Sequence, residues 1–546
     1  MGDFDPVWGH PYTHAEATMT RPERRWCIAY SIALILVTTL PIWIAFRAAG
    51  DAWSFSGFLV AVEDGNSYIA KMNLGAAGAW LFRSPYSAAP QRGVLAFLPY
   101  LLLGKLAAGP EQHLQQVLLL QIFRIATIPL VILATYKVAA MVSESTRTRR
   151  WATVLATAGG GLGWVLAFTR SGEWLGSLPL DFISPESFGF LAILTLPHLV
   201  LTRALILFAL ATYLADGESG RPRWWAGLLL GLSTLVQPLG TLSAMAVVAA
   251  HQLVMWLRNG RSYLGIWRSR WWPAALHLVI PSLPLLIYYA VSSRVDPYLQ
   301  IWSAQNQLPS PHLLHYLLAY GLVLPFALRG AYKAWRNSSS PGLLLMGWVM
   351  ILPLLAYFPY PVQRRLPDGV WVALSILAID GLSDWLAGSP VHRWLRAGLV
   401  GICTISSLAI IVGSVQSARH PARPAFIPSG DERAFQWLRN HVDPGSIVLA
   451  SYETSNALPA WAPVRVIIGL GPESAGQEEL LPQVDAFYRG MPEGDRRQFL
   501  RQQDIQWIFF GPLERKLGSL DPAEIGLVSL RYSESGFQIY QVGGDS

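Results

Sequence analysis

The sequence predicts a polytopic α-helical membrane protein that carries a small C-terminal α/β domain. Three observations lead there. Of its 546 residues 52% are hydrophobic and only 14% are charged, where a soluble domain carries about 25% charged residues. The mean hydropathy is +0.35. Apolar runs long enough to cross about 30 Å of hydrocarbon recur through the first three quarters of the chain and then stop.

The elements follow in chain order. A polar stretch, 1–25, ends in Arg21, Arg24 and Arg25 and precedes an apolar run from Trp26 to Phe46. That run is too long for a cleaved signal and lacks its small-residue exit. Further spans are expected at about 115–142, 151–168, 188–214, 224–241, 242–257, 271–291, 312–329, 341–358, 366–386 and 397–413. The segment 93–109 is apolar but short and contains Pro99, so it reads as re-entrant or interfacial, and the total as eleven to thirteen spans. Basic clusters at 147–150, 221–223, 258–270, 329–336 and 393–396 set the N-terminus on the cytoplasmic side. Loops 47–92, 169–187, 292–311 and 359–365 then face outward. The membrane domain is expected over 26–413. The soluble domain, 419–546, has one amphipathic helix, "ERAFQWLRNHV", and strands at "SIVLAS", "VRVIIG", "IQWIFFG" and "FQIYQV".

The net charge of +7 is dispersed between spans rather than gathered on a soluble face, which argues against nucleic acid. Cys27 and Cys403 both fall inside expected spans, which excludes a disulfide framework or zinc site built on them. "AGGGLGW" has no strand–loop–helix setting and reads as a helix-packing face at Gly159 and Gly163. His312 and His315 have no acidic partner nearby in sequence.

Three stretches could carry chemistry. In "VAVEDGNSYIAKM", Glu63 and Asp64 stand about 17 residues beyond the first span, ahead of a helix suited to the membrane interface. A carboxylate at a helix start is held ionised by the dipole. There it can take a proton from a hydroxyl nucleophile or hold a divalent cation; the alternative is that Asp64 or Asn66 only caps the helix. Tyr68, in the aromatic run behind them, is a candidate for holding substrate. In "LDFISPESFGFLAILTLPHLV", Asp181 and Glu186 occupy a second acidic loop, and His198 follows Pro197 inside a span, facing a cavity or packing between helices. In "YPVQRRLPDGVWVAL", Arg364 and Arg365 oppose the positive-inside trend. They either grip a phosphate with guanidinium forks or snorkel to headgroups. Arg124, within a span, is a weaker candidate for the same task. No nucleotide-binding motif is present, so a sugar or phosphate donor would be borne by the membrane.

With those residues in view, the layout resembles the C-type (GT-C) glycosyltransferases, membrane enzymes that use polyprenyl-phosphate or polyprenyl-diphosphate sugars. The resemblance rests on the acidic pair in the first outer loop, the helix behind it, the second acidic loop and an outer soluble domain after many spans. "EDGNSYIAKM", "GAWLFRSPYS", "SPESFGFLAILTLPH", "QRRLPDGVWVALSILAIDGL" and "WIFFGPLER" also look like stretches of bacterial membrane proteins in this superfamily. It implies a plasma-membrane transferase that moves a sugar from a polyprenyl-phosphate donor to a hydroxyl of a glycan, lipid or protein. Asp64 would be the first-loop base or metal-binding carboxylate, with Glu63 in support. Asp181 or Glu186 would be the second-loop acid, and Arg364 and Arg365 would hold the lipid phosphate. The family's paired-aspartate pattern is absent from both loops, so a divalent cation is an open cofactor. A transporter or lipid flippase, and a non-catalytic envelope scaffold, are the rival readings; outer-loop acids favour surface chemistry over midplane transport.

Overall fold

The computed structural model describes residues 19–169, 172–258, 270–385, 392–518, 520, 522–526 and 528–543. Most of the polar N-terminal stretch, together with Arg261 and Arg268 of one basic cluster, lies outside them.

The chain starts with α1, Arg21–Ala48, opened by Thr20 and Glu23, whose side chains reciprocally cap each other's backbone N–H. A short strand β1, Trp53–Phe55, leads to α2, Val62–Ala76, and α3, Leu98–Gly104, before the long α4, Gln112–Val142. Then come α5, Thr146–Ala158; α6, Gly163–Phe168; α7, Leu180–Ile183; α8, Gly189–Thr195; and α9, Pro197–Ser219. Among the described residues seven helices are long and apolar enough to cross a membrane: α1, α4, α9 and those at Pro238–Arg258, Trp271–Val295, Gln363–Trp385 and Trp394–Arg419. The helices Leu313–Tyr320 and Leu324–Asn337 make a further pair bent by 77°, and Trp224–Val236 and Ser340–Ala356 are shorter apolar helices. This is a multi-pass helical membrane architecture.

Several expected spans are broken, each at a residue that dictates the break. Run 188–214 divides at Leu196 because Pro197, lacking an N–H, can only start α9. Pro238 moves the expected boundary at 241 back to Gln237, and Pro325 stands just inside the second arm of the 77° bend. Run 151–168 stops at Ala158. The glycines beyond it are therefore a gap between α5 and α6, not a packing face within one helix. A Cβ on Gly161 would lie 2.6 Å from the Ala319 backbone, and one on Gly163 would strike the Asp181 carboxylate. The 93–109 segment yields only the seven-residue α3, consistent with a piece that does not cross. It crosses α2 backbone to backbone: a Cβ on Gly75 would come within 2.0 Å of the Leu101 carbonyl oxygen, and one on Gly104 within 1.9 Å of that of Met72.

The C-terminal domain holds a five-stranded sheet in the order β4-β3-β5-β7-β6. Its strands are β3 Ile447–Leu449, β4 Arg465–Val466, β5 Trp507–Phe510, β6 Val528–Glu534 and β7 Phe537–Val542, with β2 at Phe426–Pro428. β3 pairs parallel with β4 and β5, while β5, β7 and β6 run antiparallel. The four expected strands and the helix Ser429–His441 are present. β6 is an addition, hidden in sequence because its "VSLRYSE" is largely solvated.

The domain is tied to the first loop through backbone and side chain. β1 pairs antiparallel with β2, Trp53 opposite Pro428. Asn66 donates to Asn456 Oδ1 at 2.8 Å, Asn73 to the Pro459 carbonyl at 2.9 Å, and Tyr86 to the Asn456 carbonyl at 3.0 Å. The helix expected to lie on the membrane interface is thus sandwiched: Asn66, Ser67, Lys71 and Asn73 of α2 are all buried. Polar groups so placed must find partners, and the C-terminal domain supplies them.

Candidate active site

Glu63 and Asp64 lie on the exposed first turn of α2, whose N-cap is Ala61 in a left-handed conformation with no side-chain cap. The capping alternative is therefore not what this helix uses. Crowding by surrounding protein pushes the Asp64 carboxyl above its usual range; the charges of Arg365 and Lys71 pull it back, while Glu473 and Glu186 add to the rise. Glu63 is raised by the same desolvation and by Asp64 itself, against a hydrogen bond with Tyr452 of the C-terminal domain. Two adjacent carboxyls with raised proton affinity suit a group that must accept a proton.

The second acidic loop divides its two acids. Buried Glu186 accepts from Arg365, Nε to Oε1 at 3.1 Å. Its backbone carbonyl receives the Gly369 N–H at 2.9 Å and a short hydrogen bond from Arg203. Arg203 also pairs with Asp368 at 3.0 Å. The loop that delivers Glu186 and the turn that delivers Arg364 and Arg365 are therefore pinned together from below. Asp181 goes elsewhere. It accepts from Ser406 Oγ at 2.5 Å and from the Gly163 N–H at 3.1 Å, tying the α5–α6 gap to the helix His392–Arg419. Burial pushes its carboxyl up. Of the two second-loop candidates, Glu186 is the one gathered with Asp64.

Arg364 and Arg365 form a short 3₁₀ turn before the helix Val370–Trp385. Arg364 Nε is buried with no hydrogen-bond partner among the described residues. The Arg365 side chain is 39% exposed. On the far side, the rings of Tyr68 and Tyr100 stack at 4.5 Å, and the Tyr100 hydroxyl lies 2.7 Å from His198 Nδ1. Tyr68 and His198 thus belong to this group. Arg124 does not: Thr38, Thr39 and Gln121 take up its nitrogens at 2.7, 2.7 and 2.8 Å in the α1–α4 seam. It lines an apolar cleft with Ile42, Phe58, Leu120, Leu194 and Pro197.

Two residues were not anticipated. Lys71, two turns beyond Asp64 on α2, is fully buried and its Nζ lies 2.8 Å from Glu473 Oε1. Glu473 comes from the C-terminal domain, 402 positions away in sequence. Phe97, Phe82 and Tyr68 surround the ammonium with ring centroids at 4.3, 5.4 and 5.6 Å. Lys71 could have been suspected as a cation seven residues after Asp64; nothing local in "GPESAG" marks Glu473.

A divalent ion needs a convergent set of deprotonated ligands. Among the described residues no three His, Cys, Asp or Glu side chains converge in this way, and Glu186 and Glu473 are each engaged by a cation. The donor set does not fit a metal. His312 caps the helix Leu313–Tyr320, and His315 Nε2 lies 2.6 Å from the Trp174 carbonyl.

No family model matches the sequence, and no curated protein matches it. Solved structures do match. The archaeal oligosaccharyltransferase AglB from Archaeoglobus fulgidus, in complex with an inhibitory peptide and a dolichol-phosphate, superposes with a TM-score of 0.56 at 12% identity, covering 90% of this chain and 70% of AglB. An Archaeoglobus fulgidus oligosaccharyltransferase in the apo form gives 0.54 at 13% identity over 96% and 75% of the two chains. ArnT from Cupriavidus metallidurans bound to undecaprenyl phosphate gives 0.48 at 13% identity, over 94% and 99%. At such identities the likeness is one of fold, and it agrees with the layout the residues suggested: the chain has the fold of the archaeal oligosaccharyltransferase AglB.

Proposed function

We propose that the protein is a membrane glycosyltransferase that moves a sugar from a polyprenyl-phosphate donor to an acceptor hydroxyl on the outer face of the plasma membrane. One observation carries the reading. The uncapped acids of α2 share a single electrostatic neighbourhood with the Arg365–Glu186 pair, the combination of base and phosphate cation that such a transfer needs. The fold shared with AglB, solved with a dolichol-phosphate, supports it.

In the reaction, the acceptor hydroxyl gives its proton to the Asp64 carboxylate as its oxygen attacks the anomeric carbon. The bond from that carbon to the phosphate oxygen breaks, and polyprenyl phosphate leaves. The charge gathering on the phosphate is met by Arg365 and Arg364. A carboxylate raised above its ordinary range is a stronger base than a free one. Glu63 adds negative charge beside Asp64, while Tyr68 and His198 line the sugar side. Glu186 holds the arginine plane in place rather than reacting.

The test is transfer of labelled sugar from membrane lipid by wild type and by Asp64→Asn, with folding checked by thermal unfolding in detergent. Loss of transfer in a folded variant supports the base. Transfer at the wild-type rate would remove Asp64 from the mechanism.

A further inference from the structure

Both cations whose charges bear on Asp64 are already paired with a glutamate, but in different ways. Arg365 meets Glu186 through Nε and stays half-exposed. Lys71 has no exposed side-chain surface; its ammonium is held between Glu473 and Ser67 under Phe97 and Phe82. Glu473 is fixed in turn, because its backbone carbonyl accepts from Tyr298 Oη at 3.1 Å and from Ser84 Oγ at 3.3 Å. A carboxylate from the C-terminal domain therefore stands permanently against a cation of the first loop.

We propose that Glu473 is a specificity-determining residue: by neutralising Lys71 it leaves the site charged for a donor with one phosphate and not for one with a diphosphate. The inference rests on the donor reading above. Its basis is a balance of charge. Lys71, Arg365, Glu186 and Glu473 all act on Asp64, Glu63 is its neighbour, and Arg364 joins them beside Glu186 and Arg365, so carboxylates already outnumber cations among these groups. Arg364, with an unpartnered Nε, can answer one phosphate. With the half-exposed Arg365 beside it, that one phosphate is met; a diphosphate brings a further negative charge, and the cation left, Lys71, is neutralised by Glu473. Removing the Glu473 charge would uncover that of Lys71 about 10 Å along the helix from Asp64. At that range one unit charge alters affinity for an extra negative charge by about fivefold.

The experiment compares dissociation constants of the purified full chain for undecaprenyl phosphate and undecaprenyl diphosphate. It uses wild type, Glu473→Gln, and the double variant Lys71→Met with Glu473→Leu, which removes the pair together. Wild type should favour the monophosphate. Glu473→Gln should move the ratio toward the diphosphate by about fivefold, and the double variant should keep the wild-type ratio. A purely structural role for Glu473 would weaken both lipids alike and leave the ratio unmoved, which overturns the inference. So does a wild type that prefers the diphosphate, a result that needs no variant to fold. If wild type binds neither lipid, the donor reading fails first and this inference with it.

Discussion

The two ion pairs that border Asp64 have the same charges but opposite settings. Arg365–Glu186 joins two loops of the membrane domain, and its cation is 39% exposed while its anion is buried. Lys71–Glu473 joins the first loop to the C-terminal domain, with cation and anion 0% and 11% exposed. An accessible guanidinium can exchange part of its pairing for a phosphate. An ammonium shut under aromatic rings cannot, and is committed to holding two domains in register. The difference separates a cation open to a ligand from one whose charge reaches the site only after cancellation by its glutamate.

Asp64→Asn should lower sugar transfer by about 10²- to 10⁴-fold, the range for loss of a general base, with little change in thermal unfolding. Next, Lys71→Met should destabilise the fold by about 3–5 kcal/mol, because it strands the Glu473 carboxylate in a buried site. Arg365→Gln also leaves a buried carboxylate, Glu186, but should cost less, about 1–3 kcal/mol, because the half-exposed position of Arg365 lets water and the Gln amide reach it. Denaturant unfolding of the two variants side by side checks the contrast; equal losses would erase it.

Asp64 keeps its proton to a higher pH than a free carboxyl of about 3.9. The base form is therefore lost on acidification before an ordinary aspartate would protonate, and transfer should fall on the acid side from a midpoint above that value. An acid limb at or below the free carboxyl value would argue against Asp64 as the base. The smallest effect is expected from Asp181→Asn, whose partners are Ser406 and the Gly163 backbone: transfer should stay within about threefold, against a larger loss for Glu186→Gln.

What was legible in the sequence follows a physical line. Glu63, Asp64, Arg364 and Arg365 stand where a membrane protein has little other reason to place charge, so position alone marks them. Prolines 197, 238 and 325 mark helix breaks openly, but each sits inside or beside an apolar run long enough to read as an unbroken span. The two second-loop acids were indistinguishable, because what sorts them is distant: Arg365 draws Glu186 in, and Ser406 takes Asp181. Lys71 read as part of an interfacial helix because its partner lies 402 residues away. Local pattern reports what a segment buries; it does not report which distant segment buries it.

Native mass spectrometry of the protein purified from its own membrane, comparing wild type with an Arg364→Ala, Arg365→Ala variant, reads the bound lipid phosphate directly. Wild type should retain a polyprenyl-phosphate species that the folded variant loses, with any attached sugar identifying the donor. Retention of that lipid by the variant, or only bulk phospholipid on an active wild type, would contradict the proposed donor site.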